Sequence, residues 1–106
     1  MKIDGFDWDI GNRVKCQRHG VGIAEIEALL REQFRFSPDV LHSITEQRQL
    51  AVGLNSAGRA MFVVFTVRIR NDQSLLRPIT ARYMHAKEAR RYGTEKTAAG
   101  PRIDDR

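Results

Sequence analysis

The run from Ala60 to Tyr83, AMFVVFTVRIRNDQSLLRPITARY, constrains the fold more than any other stretch of the chain. Met61, Val63, Phe65, Val67 and Ile69 share one face, and Phe62, Val64, Thr66, Arg68 and Arg70 share the other, because side chains alternate along a strand. Both faces begin apolar, which predicts a central, buried strand. Asn71-Asp72-Gln73-Ser74 supplies turn residues, so the run reads as a β-hairpin. A turn of even length there predicts that Arg70 opposes Leu75, Arg68 opposes Arg77 and Thr66 opposes Ile79. Two arginines directly opposite each other repel. An anion between them would resolve the conflict, and planar guanidinium forks suit a phosphate. The plainer alternative is a wetted strand end with its arginines splayed into solvent, and a turn of odd length would swap the faces altogether.

The 106 residues are enough for one domain with one modest core. No apolar run is long enough for a transmembrane helix, and the first ten residues lack the pattern of a signal peptide, so a cytoplasmic protein with no membrane partner is expected. The single cysteine, Cys16, excludes an internal disulfide, and three scattered histidines give no ligand spacing for zinc. No metal and no cofactor is therefore expected. The net charge of +5, carried more by arginine than by lysine, favours a polyanionic or acidic partner.

In chain order, Phe6-Asp7-Trp8-Asp9 reads as a short extended lead-in with Phe6 and Trp8 on one side and the aspartates on the other. Asp9 is placed to cap a first helix from about Ile10 to Arg18, with Ile10 and Val14 one turn apart and Gly20 as the stop. His19 then sits at the helix end, where a cation is favoured by the dipole. A second helix, Ile23 to Glu32, carries an apolar stripe of Ile23, Ile26 and Leu30, with Glu25 and Glu27 read as solvated surface. Phe34-Arg35-Phe36 is predicted to begin a strand, and Glu46 to Leu54 another, with Arg48, Leu50, Val52 and Leu54 facing the core. A basic final helix follows Tyr83. Residues 1–92 are expected to form a single domain and residues 93–106 a flexible tail. The order β-α-α-β-β-β-β-α is that of an α+β fold, a mostly antiparallel sheet of about four to five strands with two N-terminal helices and one C-terminal helix.

The segments FDWD (Phe6 to Asp9), Arg18-His19-Gly20-Val21, His42-Ser43 followed by Glu46 and Arg48, VVFTVR (Val63 to Arg68) and RPITARYMHAKEARRY (Arg77 to Tyr92) together resemble BrnT toxins, the toxin half of a bacterial type II toxin–antitoxin system. The resemblance implies a RelE-like fold and a ribonuclease that blocks translation. It also implies a BrnA-like ribbon-helix-helix antitoxin, which neutralises the toxin in a heterotetramer and alone contacts operator DNA. Arg18 stands where the family more often has lysine, Gly22 and Thr80 where it more often has serine; only Gly22 bears on stability, through a weaker helix cap.

A metal-free ribonuclease needs a base for the ribose 2′-hydroxyl, cations for the phosphorane's growing charge, and an acid for the leaving oxygen. Arg68, Arg77 and Arg82 are the candidates for the second task, although Arg82 falls on the opposite strand face from Arg77. His19 is the first candidate for proton transfer, since imidazole exchanges protons near neutral pH; His85, Tyr83 and Glu46 are alternatives. Arg48, Arg70, Tyr83, His85 and Arg90 are candidates for binding RNA. Trp8 reads as a core residue more readily than as a base-stacking platform. A competing reading is a non-catalytic basic module that pairs with a DNA-binding partner. Direct DNA binding is disfavoured, because no helix-turn-helix pattern appears.

Overall fold

In the computed structural model, residues 3–35 and 44–91 are described. The elements run β1 (Gly5–Phe6), α1 (Ile10–Gln17), α2 (Ile23–Gln33), β2 (Gln49–Leu54), β3 (Ala60–Arg70) and β4 (Gln73–Tyr83), followed by helical residues 86–91. The four strands form one mixed sheet in the order β1-β4-β3-β2, parallel between β1 and β4 and antiparallel elsewhere. The architecture is α+β, with four strands among the described residues. The expected tail and the His42-Ser43 loop lie outside those residues.

The predicted hairpin forms, with a different register. Asn71 and Asp72 both adopt positive φ, 50° and 66°, giving the two-residue turn whose twist matches the strands it joins. Arg70 therefore faces Gln73, Arg68 faces Leu75 and Thr66 faces Arg77. The shift from the expected pairing is two residues, an even number, so Arg68 and Arg77 remain on one face as diagonal neighbours rather than directly opposed.

A second irregularity lies further along β4. Phe65 pairs with Pro78 and Val64 with Thr80, leaving Ile79 as the extra residue of a β-bulge. The bulge reverses which alternate residues face the core. Ser74, Leu76 and Pro78 are buried before it, and Ala81 after it. Arg82, opposite Phe62, thus shares the face of Arg77, contrary to simple alternation. Pro78 is tolerated here because β1 has already ended beside it, so no ladder bond needs its missing N–H.

The core lies between α2 and the face of the sheet carrying Met61, Val63, Phe65 and Val67. Ile26, Leu29, Leu30 and Phe34 cover that face, and the Phe34 ring meets Phe65 edge-on at 5.6 Å. Phe34 is the C-cap of α2 and Arg35 follows in a bend, so these two residues, predicted to begin a strand, instead close a helix, while Phe36 lies outside the described residues. The inward face of β2 also differs from expectation. Ala51 and Gly53 are buried, while Leu50 and Leu54 are 46% and 53% exposed. A Cβ on Gly53 would collide with Leu29 Cδ1, so the close seat of α2 demands small residues on this face.

Helix α1 packs against β4 and bonds it at Pro78, beyond the short stretch that β1 pairs. Asp9 caps it in a reciprocal box with Asn12, as its position predicts, and Gly20 ends it with φ 91°. Its buried residues are Asn12 and Cys16; Ile10 and Val14, the apolar pair one turn apart, are exposed. Gly22 offers α2 no side-chain cap, but Glu25 accepts the Gly22 N–H at 3.1 Å and supplies the reciprocal half.

Candidate active site

The sheet face opposite α2 is apolar at one end, with Leu50, Val52, Phe62 and Val64, and basic at the other. At the basic end a cavity of about 460 Å³ opens between the sheet, α1 and the segment leading into β2. Thr66 and Arg68 of β3, Arg77, Pro78 and Ile79 of β4, Gly11, Asn12 and Lys15 of α1, and Glu46 and Arg48 line it. Four side chains are cationic and one is a carboxylate, so the cavity attracts anions. Asn12 and the bulge give it a firm floor: the Asn12 amide donates to the carbonyls of Asp7 at 3.0 Å and Pro78 at 2.9 Å.

The FDWD segment delivers two aspartates to this cluster. Asp9 accepts from Arg77 Nη2 at 2.9 Å, and the Asn12 N–H together with that guanidinium holds its carboxyl below the usual carboxylate value. Asp7 sits among Arg68, Arg70 and Arg77, at 3.8, 3.7 and 3.6 Å. Glu46 Oε1 lies 3.9 Å from Arg68 Nε. Glu46 also holds a left-handed backbone, φ 65°, while its N–H donates to Val67 O at 2.8 Å. Such strain in a residue with a Cβ is uncommon and concentrates at functional positions. Beneath the cavity, burial pushes the Cys16 thiol up to about 11, which leaves it a core residue and no nucleophile.

Of the residues singled out from sequence, Glu46, Arg48, Arg68 and Arg77 share the cavity. Arg70 joins them only through Asp7. His19 is exposed in the turn that follows the end of α1, four residues after cavity-lining Lys15, and is outside the cavity lining. Arg82 is committed elsewhere: it grips Glu88 with two bonds of 3.1 and 3.0 Å, donates to Tyr83 O, and stacks on Phe62 at 4.4 Å. This pair and the His85 N–H lower the Glu88 carboxyl to about 2. His85 and Arg90 are exposed and outside the cavity lining.

Tyr83 belongs to the other face of the sheet. Its hydroxyl donates to Glu25 at 2.7 Å, which raises the tyrosine above its usual value; Asn55 and Tyr83 together lower Glu25. Arg59 stacks on the Tyr83 ring at 3.8 Å. Glu25 and Glu27 are thus tertiary anchors rather than plain surface, since Glu27 accepts from Trp8 Nε1 at 2.9 Å. Trp8 packs against the core, as its sequence reading favours. Among the described residues, no three His, Cys, Asp or Glu side chains converge to hold a metal ion, and no helix is long and apolar enough to cross a membrane.

Sequence reasoning did not find the roles of Asp7 and Asp9 in the arginine cluster. The signal was present in the aspartates' shared side of the lead-in strand, but the strand's place beside β4 is a long-range pairing that local pattern does not reveal.

A family model described as ribonuclease toxin, BrnT, of type II toxin-antitoxin systems matches residues 8–88, well over half of the chain. The chain belongs to the BrnT family. Membership makes it a ribonuclease toxin with an antitoxin partner, and the match spans every residue lining the cavity. No curated protein matches the chain.

Proposed function

We propose that this BrnT-family chain is a metal-independent endoribonuclease that cleaves RNA in the open-face cavity and so stops translation in the cytoplasm. The observation that carries the reading is the convergence of Lys15, Arg48, Arg68 and Arg77 on one cavity of the uncovered sheet face. Arg68 and Arg77 grip the scissile phosphate and stabilise the phosphorane, a charge-stabilising role that fixed guanidinium groups perform without reorganisation. Glu46, the carboxylate in the lining, accepts the 2′-hydroxyl proton. RNA leaving the cavity along α1 passes Lys15 and reaches His19, which donates to the leaving oxygen or holds the next phosphate. Arg70 adds a backbone contact, and Arg82 serves the site by anchoring the final helix.

The antitoxin in this reading is a BrnA-like ribbon-helix-helix protein, the complex a heterotetramer, and the toxin domain a RelE-like fold over residues 1–92 with residues 93–106 as a tail. Inducing the chain alone in bacteria, beside Arg77→Ala and Arg68→Ala versions, tests it. Growth arrest with fragmented RNA from the parent only supports the reading. Normal growth and intact RNA from a soluble parent sink it.

A second reading, a non-catalytic binding module, draws support from one fact: no histidine lines the cavity among the described residues. Under it, Arg77→Ala loosens the antitoxin; under the first reading it abolishes cleavage and leaves antitoxin affinity nearly intact.

A further inference from the structure

Asp7 occupies an unusual place in this cluster. Its carboxylate is only 14% exposed, and three guanidiniums surround it. Yet each approaches no closer than 3.6 Å, and Oδ2 is enclosed without a hydrogen-bond partner among the described residues. Arg68 Nε, equally enclosed, also lacks one. An ion pair built for stability closes to charge-assisted hydrogen-bond distance; this one stops short of it. The carboxylate therefore offsets the mutual repulsion of three arginines without itself accepting a hydrogen bond from them, although Arg77 also donates to the Asp9 carboxylate at 2.9 Å and to the Asp7 carbonyl at 3.4 Å.

Resting on the RNA-cleaving reading above, we propose that Asp7 is the positioning residue of the cavity: it holds Arg68, Arg70 and Arg77 convergent and ready for a phosphate, and it limits the free positive charge they present. It touches the arginines and not the reacting atoms. The backbone of Asp7 ties β1 to β4 through its N–H to Leu76 O at 2.9 Å, independently of the side chain. A neutral isostere therefore leaves the fold in place.

Two effects of Asp7→Asn follow, with opposite signs. Removing the anion frees one cationic equivalent, so RNA binds more tightly and with a steeper salt dependence, by about 0.7 in the log–log slope for single-stranded RNA. The unrestrained guanidiniums spread, and a misplacement of ~1 Å lowers kcat by about tenfold to a hundredfold. Asp7→Glu keeps the charge but carries it one methylene further toward the guanidinium donors, so it weakens RNA binding.

The experiment compares wild type, Asp7→Asn and Asp7→Glu on a single-stranded RNA that the wild type cleaves, measuring kcat and KM, with affinity read on a 2′-O-methyl version across a salt series. The expected result is a lower kcat with a lower KM for the asparagine variant, a higher KM for the glutamate variant, and thermal midpoints close to wild type. Unchanged kcat and affinity in Asp7→Asn, or losses that only follow a loss of folded protein, overturn the proposal while leaving the ribonuclease reading standing. A wild-type chain that neither cleaves nor binds RNA overturns both.

Discussion

Asn12 donates to the Pro78 carbonyl at 2.9 Å and so continues, from a helix, the hydrogen-bonded edge that β1 begins on β4. The acceptors Ser74 O and Leu76 O are met by the N–H groups of Asp4 and Asp7. Pro78 O is the next along that edge, and a side chain takes over where the strand ends. The same amide nitrogen reaches Asp7 O, and Asn12 Oδ1 accepts the Asp9 N–H at 2.7 Å. One buried side chain thereby fixes the start of α1 against the bulge that borders the cavity.

Removing it should be expensive. Asn12→Ala leaves buried backbone groups unpaired and deletes half of the capping box, at a cost of about 2–3 kcal/mol. Urea denaturation of the two proteins checks this, and a difference below about 1 kcal/mol would contradict the role given to Asn12.

The left-handed backbone of Glu46 predicts an unusual ranking of truncations. Alanine at this position keeps the strain, whereas glycine relieves it at some entropic cost. Glu46→Gly should be more stable than Glu46→Ala by roughly 0.5–1 kcal/mol. Both variants should lose RNA cleavage to a similar extent, because both lack the carboxylate. Thermal denaturation with a cleavage assay decides it; equal stability of the two would argue against strain.

Gly53 has no room for a side chain beneath Leu29. Gly53→Val forces Leu29 off its rotamer or lifts α2 from the sheet, with an expected loss of about 1–3 kcal/mol. Pairing it with Leu29→Ala should recover part of that loss, and a double-mutant cycle measures the coupling. Strictly additive effects would mean that the two sites do not meet.

The Arg82–Glu88 pair should make the anchoring of residues 86–91 sensitive to acid. Glu88 is depressed from its ordinary 4.5 to about 2 in the folded chain. A depressed carboxylate contributes stability that is complete above the ordinary value and is lost as pH falls toward and through about 2. The pair is partly exposed, so its contribution is modest and screened by salt. Hydrogen exchange of residues 86–91 should be slower in wild type than in Glu88→Gln near neutrality, with the difference closing across that window. A gap independent of pH would rule out this titration as its cause.

Much of this protein was determined by short-range sequence pattern. Alternation over Ala60–Arg70, followed by turn residues, required a hairpin, and an even turn kept Arg68 and Arg77 on one face whatever the register. Asp9 and Gly20 marked the ends of α1 because capping needs only neighbouring backbone. The order of motifs from Phe6 to Tyr92 carried the family. Tertiary structure decided the rest. β2 turned its leucines outward because Leu29 of α2 needed the space over Ala51 and Gly53, and alternation alone could not choose between those faces. The bulge at Ile79 brought Arg82 to the face of Arg77, where Glu88 and Phe62 claimed it. Asp7 became the centre of three arginines only because β1 pairs with a strand about seventy residues later, a contact set by the packing of the whole sheet.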